Sequence, residues 1–372
     1  MKKRIYLGLF KDITLYFLTT LFTLSLIIWL LQAVNYLDIV SEDGHGILTY
    51  FKFSIFNYPK ILSKTFLLSF FLALYYVLNL YEEKNQLLIY WSNGISKINF
   101  LKKLLAISSS FVLISLFLSL FLAPYSQDKA RSFIRSSNVD FFPSLIKEKT
   151  FVDTVENLTI FLESKEKNLI KKIVIKDASN DNNVQFIIAK EGIIFNDVEK
   201  KSLNLFNGKI INKNKNGKTT IFNFEESVLD LDKYTTKTTT SAKIQELSTL
   251  SILRCVINIK TNNYIRFENF NCSEGFYSKL VQELYKRSYL PLFIYLITII
   301  TAFIILNSNA KPNYKIFNLR VFLISIFFIV FSEVSVSMIS KVNLVNLAII
   351  LALPALLILS YYFFNNKSKT SH

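Results

Sequence analysis

The side chains best able to do chemistry in this 372-residue chain are few. Its two histidines, His45 and His372, fall in a loop-like stretch and at the C-terminus. That disfavours a Ser-His-Asp relay or a histidine zinc site, since both need imidazole held among partners. Gly217, Lys218 and Thr219 copy the end of a phosphate-binding loop, yet the glycine that must open it is Asn212, and the stretch reads as a hairpin turn. The chain is therefore expected to hydrolyse no ATP of its own. Cys255 and Cys272 stand 17 residues apart. In an oxidising compartment they can pair; otherwise they are two small buried thiols, and a metal needs ligands that are not nearby. No catalytic residue and no metal ligand is assigned.

Two features remain. Glu333 lies in an apolar run, where a carboxylate is costly unless paired or wetted. Ser332, Ser335, Ser337 and Ser340 make that end polar, so exposure at a membrane edge and contact with a polar ligand or partner helix both stay open. The segment Leu80–Phe100 carries Leu87, Leu88 and Trp91 at helical spacing, with Glu82 and Glu83 before them and Asn93-Gly94 to stop a helix. A short amphipathic helix over about 82–94 follows, docking a separate protein or resting on lipid.

The elements that hold these residues must be very apolar. The chain is 51% hydrophobic with 35 Phe and only 19% charged, against roughly 25% in ordinary soluble domains. A bilayer core about 30 Å thick takes about 20 apolar helical residues. Ile13–Val34, Thr65–Tyr81, Leu104–Tyr125, Ser288–Ala310, Val321–Ser340 and Val342–Asn366 meet or approach that length, giving six membrane helices in two groups of three. The first run is too long for a signal-peptide core and lacks a small-residue cleavage pattern.

The net charge of +16 is unevenly placed: residues 125–290 carry +6 and the remainder +10, gathered beside apolar runs. That is the positive-inside pattern and not a basic stripe for RNA or DNA, so no nucleic-acid partner is expected. Lys2, Lys3, Arg4 and Lys11, then Lys84, Lys97, Lys102 and Lys103, then Lys311, Lys315 and Arg320, and last Lys367 and Lys369 mark the inside; Asp38, Glu42 and Asp43 mark the outside. Both termini are expected in the cytoplasm and the long middle segment outside.

That segment reads as strands: Leu158–Leu162, Ile170–Ile175, Val184–Ala189, Leu203–Phe206 and Thr219–Phe224. Turn signals at Ser179–Asn183, Lys190–Gly192, Asn207–Gly208 and Asn216–Gly217 separate them, suggesting a sandwich or jelly roll. Tyr234–Ser241 is expected to lead back to the membrane and Phe276–Arg287 to form a short helix before the fourth span. Three regions result: helices and cytoplasmic loop over 1–125, a β domain over 126–287, and helices with a short tail over 288–372.

Three motifs carry a resemblance in their order and spacing. They are Gln86-Leu87 followed by Gly94-Ile95-Ser96; Phe141–Lys149 with Phe151 and Asn157–Phe161; and Glu283-Leu284 with Lys286-Arg287 and Pro291-Leu292. The chain resembles the LptF/LptG (YjgP/YjgQ) lipopolysaccharide export permease family, and Phe141–Phe161 resembles the LptF version. The family's acidic residue before Leu is Gln86 here, with Glu82 or Glu83 one helical turn back able to supply the charge.

The resemblance implies a polytopic α-helical inner-membrane protein, six transmembrane helices arranged three plus three around an inserted all-β periplasmic jelly roll. It implies a non-catalytic subunit of an ABC exporter, paired with an LptG-like subunit above an LptB-like ATPase dimer that uses ATP and Mg; no cofactor is expected on this chain. Lipopolysaccharide would enter near the first and fifth spans and pass through the jelly roll to LptC- and LptA-like proteins. Glu82, Glu83, Gln86, Leu87, Trp91 and Gly94 would dock the ATPase. Trp29, Asp38, Lys64, Arg131, Arg135 and Glu333 are candidates for substrate contact or gating, with Lys52, Lys60 and Lys129 in similar positions. The alternative is a membrane-anchored periplasmic sensor or envelope assembly factor that binds a protein ligand.

Overall fold

Backbone polar groups find no water in hydrocarbon, so apolar stretches of this length must satisfy themselves as helices. A computed structural model describes residues 2–37, 47–136, 148–155, 158–166, 169–180, 183–196, 201–214, 219–230, 243–261, 266–267, 270–272, 274–308, 310–339 and 343–370. Among them six helices are long and apolar enough to cross a membrane. In chain order α1 (Lys2–Asn35) and α2 (Ile47–Glu83) precede a short α3 (Leu87–Ser92). Then α4 (Lys97–Phe117) runs through a π-helical turn (Leu118–Leu122) into α5 (Ala123–Ser136). After the strands come α6 (Thr249–Lys260), α7 (Tyr277–Ser288), α8 (Phe293–Ala302), α9 (Tyr314–Met338) and α10 (Asn343–Thr370). Several helices run beyond the apolar windows because a helix that bonds its own backbone has no reason to stop at the hydrocarbon edge. Thus α2 begins at Ile47, well before Thr65, and carries Pro59 in its interior.

The chain divides into two compact units: Met1–Leu31 with Phe56–Asp128 and Ala242–His372, and Gln32–Ile55 with Lys129–Ser241. The first is organised around α8, nine of whose ten residues are buried. Its neighbours are fastened by polar contacts between helices. Ser108 Oγ meets Thr298 Oγ1 at 2.8 Å, and the Tyr295 hydroxyl donates to Ser109 Oγ at 3.0 Å. Asn318 Nδ2 donates to Asn79 Oδ1 at 2.5 Å, tying α9 to α2. In lipid each such bond is worth about 1 kcal/mol. Phe17 packs against Phe66 and Phe111 with centroids 4.8 and 5.0 Å away, which accounts for part of the Phe content. Cys255 of α6 and Cys272 are joined by a disulfide and buried with Ile252 and Leu280. Residues 243–261 and 274–287, expected in the β domain, fall in the same compact unit as the membrane helices.

The second unit holds six strands in one antiparallel meander: β1 (Phe151–Val155), β2 (Leu158–Glu166), β3 (Leu169–Asn180), β4 (Asn183–Asn196), β5 (Lys201–Asn214) and β6 (Thr219–Asp230). The expected jelly roll is thus an open sheet of sequential neighbours, not a closed barrel. Its strands are longer than the apolar runs, because two of the expected turns, Lys190–Gly192 and Asn207–Gly208, lie inside β4 and β5. The cause is a crease. The pairing registers step over Glu163, Lys172, Lys190, Asn207 and Glu225, one position per strand from β2 to β6. Lys172 and Asn207 take φ of 52° there, and Lys172 Nζ meets Glu163 Oε2 at 2.6 Å across it.

The register is the same on both sides of the crease, so no strand gains a residue over its neighbour; each leaves one facing position unpaired, and the in-out alternation resets there. Ile170 and Ile173 are both buried while Lys171 and Lys172 point outward. Ile173, Ile175 and Ile187 on one side of the crease share a core with Ile170, Leu203 and Leu205 on the other. Glycine is required where the strands come closest. A Cβ on Gly208 would lie 2.4 Å from the Ile188 carbonyl oxygen and 2.4 Å from Phe224 Cζ. Gly208→Val is expected to destabilise the β unit by on the order of 2 kcal/mol, read as faster limited proteolysis between β2 and β6 in the purified chain.

Candidate functional site

Two structured sites sit in the membrane unit. The first is the segment joining α2 to α4. Asn85, at φ 56°, ends α2: its N–H donates to the Glu82 carbonyl at 3.0 Å and the Gln86 N–H to the Tyr81 carbonyl at 2.8 Å. Gly94, at φ 67°, ends α3 in the same way, its N–H reaching the Trp91 carbonyl at 3.0 Å and the Ile95 N–H the Tyr90 carbonyl at 3.1 Å. Two such left-handed caps, followed by Ser96 capping α4 through its Oγ, make a fixed elbow.

Its inner face is Leu87, Tyr90 and Ile95, all buried. The Tyr90 hydroxyl donates to the Ile5 carbonyl at 3.2 Å, and burial, then Tyr6 and Asp12, push its pKa above the ordinary value. It is a donor at any working pH.

The helix is shorter than the expected 82–94, and its apolar patch is split. Glu82 and Glu83 belong to the last turn of α2. Leu87 is 1% exposed and Trp91 packs on Phe100 at 5.7 Å, so both hold the elbow together. The side chains it presents are Leu88 and Ile89, 60% and 51% exposed, beside an exposed Glu83. Leu87, Leu88 and Trp91 do not form one surface because the αL residue at Asn85 breaks α2 and restarts the helical phase.

The second site is a charged cleft. Lys60, Ser63 and Lys64 of α2, Ser119 of the π-turn, Glu283, Lys286 and Arg287 of α7 and Glu333 of α9 line about 70 Å³ of free space. That is room for on the order of five waters or one compact anion. Three irregularities border it: Pro59 before Lys60, the π-turn that carries Ser119, and the 3₁₀ turn Leu290–Leu292. Such breaks in a helical ladder often mark functional positions.

Arg287 is 3% exposed and almost fully answered. Its Nε donates to Glu283 Oε1 at 2.9 Å, Nη1 to the Leu247 carbonyl at 2.9 Å and to Thr249 Oγ1 at 3.2 Å, and Nη2 to the Gln245 carbonyl at 3.0 Å. Its own carbonyl accepts from Ser119 Oγ at 2.7 Å. With Arg287 and Glu283 cancelling, the cleft retains three lysines against Glu333.

Of the sequence-predicted residues, Lys64 and Glu333 share this cleft, with Lys60. Trp29 is elsewhere, its ring edge-on to Tyr58 at 6.4 Å between α1 and α2. Asp38 lies outside the described residues. Arg131 is on the part of α5 that groups with the β unit, with Lys52, whose Nζ stands 5.4 Å over the Phe133 ring. Arg135 is on α5 too, and its side chain lies outside the described residues. Sequence reading missed Glu283, Lys286 and Arg287 as site residues. The available signal was an acidic and a basic residue at i, i+4 on a helix about to enter the membrane.

Replacing Arg287 by Met leaves several buried acceptors unanswered, so Arg287→Met is expected to cost about 3 kcal/mol, seen as a lowered melting temperature in detergent. Glu283→Met on that background is expected to recover part of the loss.

The profile of the family described as "Lipopolysaccharide export system permease LptF/LptG" matches residues 8–365. The chain is also similar to the "Uncharacterized protein RP871" of Rickettsia prowazekii (strain Madrid E), 23% identical over 297 residues that make up 76% of each chain. Six apolar helices, an antiparallel six-stranded sheet between the third and fourth, and a match over nearly the whole length agree: this chain belongs to the LptF/LptG family of lipopolysaccharide export permeases.

Proposed function

We propose that this chain is the membrane subunit of an ABC exporter that extracts lipopolysaccharide from the outer leaflet of the inner membrane, with both termini cytoplasmic and the β unit periplasmic. What supports the reading is a pairing of features on α2. At one end is an elbow that presents Leu88 and Ile89. Toward the other is a cleft with lysines in excess of carboxylates.

The elbow docks an LptB-like ATPase dimer through Leu88, Ile89 and Glu83, and it is stiff enough to pass the ATPase's motion to α2 and α4. ATP and Mg are used there and not on this chain. The cleft takes one phosphate of the lipid head, which lysines recognise as point charges. Glu333 sets how tightly it is held. The sugars and acyl chains are too large for it and remain in a cavity completed by an LptG-like partner against α1 and α9, whose outward faces are apolar. The lipid then moves along the β unit to LptC- and LptA-like jelly rolls.

Two measurements test this. Leu88→Glu with Ile89→Glu is expected to abolish co-purification of an ABC ATPase while leaving the melting temperature nearly unchanged, whereas Leu87→Ala lowers the melting temperature by removing a core side chain. An ATPase retained by the double variant, or absent from the wild-type preparation, would sink the docking role. Lys60→Glu with Lys64→Glu is expected to reduce co-purified lipopolysaccharide about tenfold or more, at roughly 1 kcal/mol per basic residue near a lipid head. Unchanged lipid, with a periplasmic protein captured instead, would favour the sensor.

A further inference from the structure

Two grooves on the membrane unit lie apart from the charged cleft, and the first of them borders the elbow. The first, about 1060 Å³, lies between α1 and the start of α4: Lys102 and Lys103 stand at its mouth, and Leu7, Phe10, Ala106 and Ile107 form its walls. The second, about 840 Å³, lies between α9 and the end of α10, with Arg320 and Lys367 at its mouth and Phe317, Ile324 and Phe363 among its walls. Each is as large as a pocket that encloses a whole small ligand.

Topology places both mouths at one end of the bundle. α4 and α9 begin there and α10 finishes there, since the spans alternate in direction and the elbow leads into α4. Both grooves thus have the same layout: two cations at the end of the spans on the elbow side and apolar walls running toward the bilayer centre. No acidic residue is among the described linings of either. Lys102, Lys103, Leu7 and Phe10 are exposed, and Lys367 Nζ is held 4.7 Å over the Phe317 ring, aligned with the groove it guards.

A soluble anion would match the cations and leave the walls unused; an apolar helix would fill the walls and make no use of the charge at the mouth. A molecule with an anionic head and acyl chains matches both. Basic pockets between transmembrane helices take the heads of anionic lipids on these grounds. We propose that the two grooves bind anionic glycerophospholipids of the leaflet on the elbow side, the paired cations taking the phosphate and the apolar walls the acyl chains. This rests on reading the helices as membrane spans, and not on lipopolysaccharide as cargo. In the first groove the lipid also lies against Gly94 and Ile95, the joint between α3 and α4.

The test uses the full chain in nanodiscs of equal parts phosphatidylglycerol and phosphatidylcholine, released and read by native mass spectrometry. Retained phosphatidylglycerol is expected to exceed phosphatidylcholine about tenfold. Lys102→Glu with Lys103→Glu should remove one preferred lipid, and Arg320→Glu with Lys367→Glu the other, whereas Lys102→Arg with Lys103→Arg keeps both. Equal retention of the two lipids by the wild type overturns the proposal, as does an unchanged count in the variant with all four charges reversed. So does a photocrosslinker at Ala106 that captures a protein chain in membranes in place of lipid. Lipopolysaccharide binding, read on the Lys60 and Lys64 variants, reports on the exporter reading alone, so the two can fail separately.

Discussion

A guanidinium at the point where a span leaves the hydrocarbon must have its N–H groups answered, and in this chain that demand organises the membrane unit. Arg287 draws in the carbonyls of Gln245 and Leu247 and the hydroxyl of Thr249, all on chain newly returned from the strands. Thr249 in turn donates to the Leu120 carbonyl, and Ser119 to the Arg287 carbonyl. Both acceptor and donor lie in the π-turn, where the ladder of the third span widens. The knot therefore couples the third span, the returning segment and the fourth span through one side chain. The disulfide between Cys255 and Cys272 clips α6 onto the same assembly. A buried ion pair of this kind adds little net stability against an apolar isostere. Its contribution is to fix which segments meet.

The same knot explains the character of the cleft. Glu283 is bonded to Arg287, so it is only a partial counterweight to Lys60 and Lys64. An excess of positive charge at this depth is expensive unless water or an anion accompanies it. A chain that keeps three lysines and one carboxylate there bears that cost continuously, which favours a site that a ligand relieves over one that merely anchors the helix ends.

Much of this was legible in the sequence, because period and length carry it. The six spans follow from apolar runs. What failed did so for identifiable reasons. Lys190–Gly192 and Asn207–Gly208 read as turns because a crease resets the in-out alternation, and a broken alternation with Gly and Asn looks the same whether the chain reverses or only bends. Leu87, Leu88 and Trp91 read as one patch because helical spacing was counted through a region where Asn85 restarts it at positive φ. Glu283 and Arg287 have the spacing of any surface pair; only the carbonyls that reach Arg287 from 40 and 42 residues away distinguish them. Long-range contacts of that kind leave no local pattern.

The uneven burial of the spans completes the picture. The span through α8 is 72% buried within the chain, while those of α1, α9 and α10 are 22%, 22% and 11% buried. A helix surrounded by its own chain has its packing decided; one that is mostly bare has not, and in a bilayer lipid tails compete with protein for it on nearly equal terms. Small residues are what usually let such faces join closely, yet many exposed positions of α1 and α9 are large, among them Phe22, Leu26, Leu30, Leu323 and Phe327. Bulky apolar faces pack less closely than small ones and separate at lower cost, which suits the proposed passage of a lipid between helices. The high Phe and low Gly content met first as composition is, on these faces, a statement about how easily the spans part.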